Sequence, residues 1–115
     1  MDVTTDTFSQ DVIDRSHELP VIVDFWAAWC GPCRMLGTAI ESEVAKREGK
    51  IELAKIDVDA EQELAGRYGI QSIPTVVVFR DGKPVTGFVG AHAAATIGGF
   101  LDETIEEHGE AVDAA

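Results

Sequence analysis

Apolar side chains recur along this chain first at a spacing of three to four residues, then in short continuous runs, and the alternation repeats to its end. Phe8 and Val12 share one face of a helix that Thr7 and Gln10, spaced as a capping box, open and that reaches about Ser16. Pro20 precedes Val21-Ile22-Val23-Asp24-Phe25-Trp26, a mostly apolar run suited to a central strand covered on both faces. Leu36, Ile40 and Val44 recur at every fourth residue and predict a helix from Cys33 to about Glu48, stopped by Gly49. Ile51–Val58 reads as a second strand, and Glu61–Tyr68 as a short helix ended by Gly69. Thr75–Phe79 is the clearest strand; Asp81-Gly82 supplies a tight turn and Val85–Val89 the returning partner. Ile97, Phe100, Leu101 and Ile105 mark a last amphipathic helix, weakened by Gly98-Gly99, and residues 109–115 lack an apolar face and are expected to fray.

The element order is therefore α-β-α-β-α-β-β-α, with room for a short strand before Thr7. The early alternation predicts parallel strands joined by crossover helices, and the hairpin adds an antiparallel pair at one edge. The expected fold is α/β: a central mixed sheet flanked by helices on both faces. No repeat or linker divides the sequence, and 115 residues suit one domain spanning 1–115.

Composition narrows the function. At 45% hydrophobic and 26% charged the sequence is that of an ordinary globular protein, not of a disordered, collagen-like or disulfide-dense chain. Twenty-one acidic against nine basic residues give a formal charge of −12, which repels nucleic acid and anionic lipid. Neither is expected as a partner. The acidic start Met1-Asp2-Val3-Thr4-Thr5-Asp6 lacks the basic, then apolar pattern of a secretory signal, and no apolar run approaches the ~20 residues of a membrane span. A cytoplasmic monomer is the expectation. The acidity fits a halophilic protein and a moderately acidic mesophilic one equally, and unfolding midpoints from low to molar salt separate the two.

The only two cysteines lie at Cys30 and Cys33, where the first strand turns into a helix. A thiol at a helix N-terminus meets unpaired backbone N–H groups and the positive end of the macrodipole. Its pKa falls from ~8.5 to somewhere around 3.5–7.5, so thiolate is available near neutral pH. Cys30 can then attack a disulfide in another molecule, and Cys33, one turn further in, can attack the resulting mixed disulfide. Pro32 suits the first turn, where it has no N–H to lose. Two other readings stand beside this one. A zinc site needs four ligands, but His17, His92 and His108 are not spaced as a zinc-binding pair. An inert disulfide closing so small a loop removes little unfolded-state entropy. Redox chemistry fits best, with no cofactor and no metal.

Asp24 lies mid-strand between Val23 and Phe25. It is either a water-facing residue of a strand end or edge, or a buried carboxyl with a raised pKa that exchanges a proton with Cys33. Lys55, the one basic residue inside Ile51–Ile56, is either its partner or a solvent-facing strand residue.

Trp29-Cys30-Gly31-Pro32-Cys33, preceded by Val23-Asp24-Phe25-Trp26-Ala27, resembles the active-site stretch of the thioredoxin family. The similarity continues through Lys55-Ile56-Asp57-Val58-Asp59, Tyr68-Gly69-Ile70 and Ser72-Ile73-Pro74-Thr75, ends near Gly90, and with the element order spans about Thr4 to Glu107. The resemblance implies a thioredoxin fold and a cis bond before Pro74, which with Ile73 shapes a groove for the substrate backbone. It also implies a flat apolar docking surface formed by Trp29, Ile73 and Gly90 around Gly31 and Pro32. Without it, Pro74 reads as the start of a strand and Trp29 as a core residue. Trp26 is assigned to core packing. One departure is Thr38, after Gly37, where the family usually has a helix-kinking Pro. Arg34 keeps the positive charge that family members often carry as Lys.

The function expected is reduction of disulfides in cytosolic client proteins, with Cys30 as nucleophile, Cys33 as resolving thiol, Asp24 as proton exchanger helped by Lys55, and a thioredoxin reductase recharging the pair. Gly31-Pro32 between the cysteines resembles the reducing members of the family. The rivals are an oxidant or isomerase with the same chemistry and a non-catalytic binding module of the same fold.

Overall fold

The computed structural model describes residues 1–109. After a wide helical turn at Ser9–Asp14 and a tight 3-10 turn at Arg15–His17, the chain forms β1 (Val21–Trp26), α1 (Gly31–Ala45), β2 (Glu52–Asp57), α2 (Gln62–Arg67), β3 (Thr75–Arg80), β4 (Lys83–Val89) and α3 (Ala94–His108). The frayed tail expected over 109–115 lies, from residue 110 onward, outside the described residues.

The sheet has the order β2-β1-β3-β4, so β1 is central. Its alternate residues divide the core. Val21, Val23 and Phe25 pack with Phe8 and Val12 of the N-terminal segment and Leu64 of α2. Ile22 faces the other way, with Leu36 and Ile40 of α1 and Ile97 and Leu101 of α3. Burying both faces is what the mostly apolar run of β1 required. Asp24 follows Ile22 on the α1 side of the sheet.

Three details depart from the sequence expectations. The reciprocal cap at the first helix joins Thr4 and Thr7, not Thr7 and Gln10. The Thr4 N–H donates to Thr7 Oγ1 at 3.0 Å, and the Thr7 N–H to Thr4 Oγ1 at 3.3 Å. Among the described strands only β1 and β2 pair in parallel; β3 runs antiparallel to β1. The six residues of α2 rise only about 9 Å, too little to carry the chain back along a strand of similar residue count. The chain therefore enters β3 from the end at which β2 finishes. The helix read from Cys33 to Glu48 begins at Gly31 and ends at Ala45. It runs unbroken through Gly37 and Thr38, whose hydroxyl donates to the Arg34 carbonyl at 3.1 Å.

The short strand expected before Thr7 is a single parallel bridge between Asp2 and Lys55, which covers the outer edge of β2. Asp81 and Gly82 both take positive φ, 54° and 83°, as a two-residue hairpin turn requires. Ser16 ties the N-terminal segment to this turn: its hydroxyl accepts from the Gly82 N–H at 2.8 Å, and its carbonyl accepts from Arg80 Nη1 at 2.6 Å. Gly87 on β4 lets that strand approach β3 closely, because a Cβ there would collide with the Val76 carbonyl. Gly87→Ala is expected to destabilise the fold by about 1–3 kcal/mol, seen as a lower urea midpoint at unchanged slope. An unchanged midpoint would show that the two strands can separate without cost.

Candidate active site

The C-terminal end of β1 delivers the chain through Ala27–Trp29 to the first turn of α1. Cys30 is the N-cap residue, and its sulfur accepts from the Cys33 N–H at 3.2 Å. Gly31 and Pro32 complete the first turn, where a missing N–H leaves no bond broken. Cys30 and Cys33 are joined as a disulfide with their Cα atoms 5.2 Å apart. Cys30 is 5% exposed and Cys33 1%, so the outer sulfur borders the surface and the inner one is closed off. Trp26, Val58 and Ile73 pack around the pair with Ala27. Among the described residues no group of three or more His, Cys, Asp or Glu side chains is placed to hold a metal ion.

Trp29 is 69% exposed, which disposes of the core alternative. Its indole Nε1 donates to Asp59 Oδ2 at 2.7 Å, fixing the ring beside the cysteines. A shallow groove of about 200 Å³ is lined by Trp29, Val58, Ile70, Gln71, Ser72 and Ile73. The Ile73–Pro74 peptide bond is cis, and the buried Pro74 accepts the Gly90 N–H on its carbonyl at 2.8 Å. Gly90 takes φ 89°, a left-handed conformation that favours glycine. Trp29, Gly31, Pro32 and Ile73 thus come together at one disulfide, with Pro74 and Gly90 bonded to each other beside Ile73. Arg34 folds back across the turn, its Nη1 donating to the Ala28 carbonyl at 2.7 Å.

Asp24 is fully buried, and neither carboxylate oxygen has a hydrogen-bond partner among the described residues. It is not a strand-edge residue. Burial pushes its carboxyl from an ordinary 3.8 up to about 6; the nearby Lys55 ammonium opposes the rise and Glu41 adds to it. Lys55 is its register partner on β2, and a Cβ built on Gly37 of α1 would lie 3.7 Å from Asp24 Oδ2 and 3.5 Å from Lys55 Nζ. Gly37 is one turn beyond Cys33, so the carboxyl lies under the α1 face that carries the inner cysteine. Lys55 does not pair with Asp24 directly. Its Nζ bonds Glu41 Oε1 at 3.3 Å and lies 4.8 Å over the Trp26 ring. Gly37, Glu41 and Asp59 received no role from the sequence. The spacing of Cys33, Gly37 and Glu41 at successive fourth residues was the available signal for the first two.

A surface-bordering disulfide at a helix N-terminus, over a buried carboxyl and beside an apolar groove, defines a dithiol–disulfide exchange domain. The family model for thioredoxin matches residues 1–103. Thioredoxin 1 of Nostoc sp. is 43% identical over 106 residues, 92% of this chain and 94% of its own. Thioredoxin of Mycobacterium bovis is 43% identical over 95 residues, covering 83% and 80%, and that of Pseudomonas aeruginosa 36% identical over 105 residues, covering 91% and 95%. The chain belongs to the thioredoxin family and is a protein thiol–disulfide oxidoreductase of the protein-disulfide reductase type. Proteins of this family act on disulfide substrates, are served by a reductase, and need no cofactor. No helix among the described residues is long and apolar enough to cross a membrane.

Proposed function

We propose that this chain passes two electrons to disulfides of cytosolic client proteins through Cys30 and Cys33, acting as a single-domain monomer. The observation that carries the assignment of roles is the asymmetry of the pair: one sulfur borders the surface at a helix N-terminus, and the other is closed off on the α1 face that covers Asp24 one turn further along, at Gly37. In the reduced protein the Cys30 thiolate attacks a client sulfur, forming a mixed disulfide and expelling the first client thiolate. Cys33 then gives its proton to the Asp24 carboxylate and attacks Cys30 Sγ. The Cys30–Cys33 disulfide forms, the mixed disulfide breaks, and the second client thiolate leaves and takes up a proton. The client is reduced and the pair oxidised. A thioredoxin reductase restores the dithiol, and no cofactor or metal takes part in the exchange.

Trp29, Gly31, Pro32, Ile73, Pro74 and Gly90 form the landing surface for the client chain. On a molecule of formal charge −12 these six residues carry no charge, and the Asp59 carboxylate bonded to Trp29 stands at their rim, which favours extended, apolar client segments over acidic ones. The Gly-Pro pair between the cysteines supports the reducing direction over an oxidant or isomerase.

Incubating the reduced protein with a disulfide-linked protein substrate, with no other reductant present, tests the assignment. Two client thiols should emerge for every Cys30–Cys33 disulfide formed. No transfer of thiols would leave the chain a binding module of this fold.

A further inference from the structure

The geometry points to Glu41 as a positioning residue for Asp24: its carboxylate holds the Lys55 ammonium on the outer side of the gap at Gly37, and so keeps that cation off the buried carboxyl. Asp24 and Lys55 are register partners on adjacent parallel strands, the arrangement from which a direct ion pair is expected. Instead Lys55 Nζ bonds Glu41 Oε1 at 3.3 Å and rests 4.8 Å over the Trp26 ring, while both Asp24 oxygens stay unpartnered. Nothing covalent stands between the two positions. A Cβ at Gly37 would touch both Lys55 Nζ, at 3.5 Å, and Asp24 Oδ2, at 3.7 Å, and glycine leaves that space open.

Two carboxylates therefore compete for one ammonium. Pairing with Asp24 would bury both charges and cost their hydration. Pairing with Glu41, whose side chain is 54% exposed, leaves the ammonium partly hydrated and adds the face of Trp26. The other groups around Asp24 do not compete. Its neighbour on β3 is Val76, the reacting group on α1 is Cys33, and Asp57 further along β2 is engaged by the N–H groups of Asp59 and Ala60.

The consequence rests on the proposed role of Asp24 as acceptor of the Cys33 proton. With Lys55 seated on it, Asp24 would stay ionised and be a weaker base toward the thiol; with Lys55 drawn outward, it remains able to take the proton. Glu41 acts on the reaction only through this third residue.

The test is the titration of the Asp24 carboxyl, followed by carbon NMR on the full-length oxidised protein and assigned with Asp24→Asn. Glu41→Gln, a change at an exposed side chain, should move the midpoint down by about one pH unit as Lys55 swings inward. In a Lys55→Gln background the same change should move it by less than about a third of that. No shift from Glu41→Gln in the native background overturns the inference, and so do equal shifts in both backgrounds, which would mean that Glu41 acts by its own charge alone. The rate of Cys33 attack in Asp24→Asn is read separately. If that rate equals wild type, the base role of Asp24 fails while the titrations still decide what Glu41 does.

Discussion

Cys30→Ser is expected to lower turnover of a protein disulfide by on the order of a thousandfold or more, to the rate of exchange without the protein. A hydroxyl at this position keeps the helix cap, so the fold should survive, but it provides no thiolate at the helix N-terminus. Cys33→Ser should fail differently. Its Cys30 still attacks, but nothing then opens the mixed disulfide, so a covalent adduct with one client chain per protein should accumulate and dissolve on adding a dithiol. The two variants together separate the nucleophile from the resolving thiol. Adducts that form with Cys30→Ser and not with Cys33→Ser would reverse the assignment of the two cysteines, and full turnover by Cys30→Ser would refute covalent exchange.

Asp24→Asn is expected to stabilise the folded protein by about 3 kcal/mol near pH 7.5 and by almost nothing below pH 4. The sign follows from a carboxyl that titrates near 6 in the folded chain and at 3.8 when unfolded. Between these values the folded protein holds a proton that the unfolded chain has released. The stability this gives is complete below 3.8 and is lost as pH rises through about 6. Asparagine suffers no such loss, because it never has to be charged in the interior. Denaturant unfolding of both proteins at pH 4 and pH 7.5 checks the difference, and equal stability at pH 7.5 would mean that the carboxylate is compensated in the fold. The same substitution should slow the attack of Cys33 on the mixed disulfide by about a hundredfold above pH 6, since general base catalysis is typically worth that much or more. The stabilised variant would then be the poorer catalyst, the pattern expected where a charge is kept buried for chemistry.

Much of this site is local in the sequence, and that part was legible. Trp29 to Cys33 lie in one strand-to-helix turn, and Asp24 stands out because an acid interrupts an apolar run. The hairpin was legible too, since Asp81-Gly82 encodes its own backbone geometry. What escaped depends on which elements meet. Periodicity carries no strand direction, so the antiparallel setting of β3 had to come from the shortness of α2. Lys55 could be paired with Asp24 from pattern alone, but its turn toward Glu41 and Trp26 depends on how α1 packs over the sheet. Gly98 was read as a weakness of the last helix. Its bare backbone instead accepts the Arg47 guanidinium on its carbonyl at 3.2 Å, where Arg47 also binds Glu43 and Asp102 and joins α1 to α3. Arg80 lies one residue past the strand read from the sequence; in the fold it ends β3 and is buried, donating to the Ser16 carbonyl and, through Nε at 2.7 Å, to that of His108.

In the proposed function Cys30 and Cys33 form one reducing couple. The direct measurement equilibrates the protein across a series of dithiol and disulfide buffers and counts free thiols by alkylation and mass. Both cysteines should be protected together, in a single two-electron transition, with a midpoint in the lower half of the cytosolic glutathione range of roughly −220 to −320 mV or below it. A midpoint near −180 mV or higher, in the range of oxidants and isomerases, would contradict that function. So would two cysteines that oxidise independently.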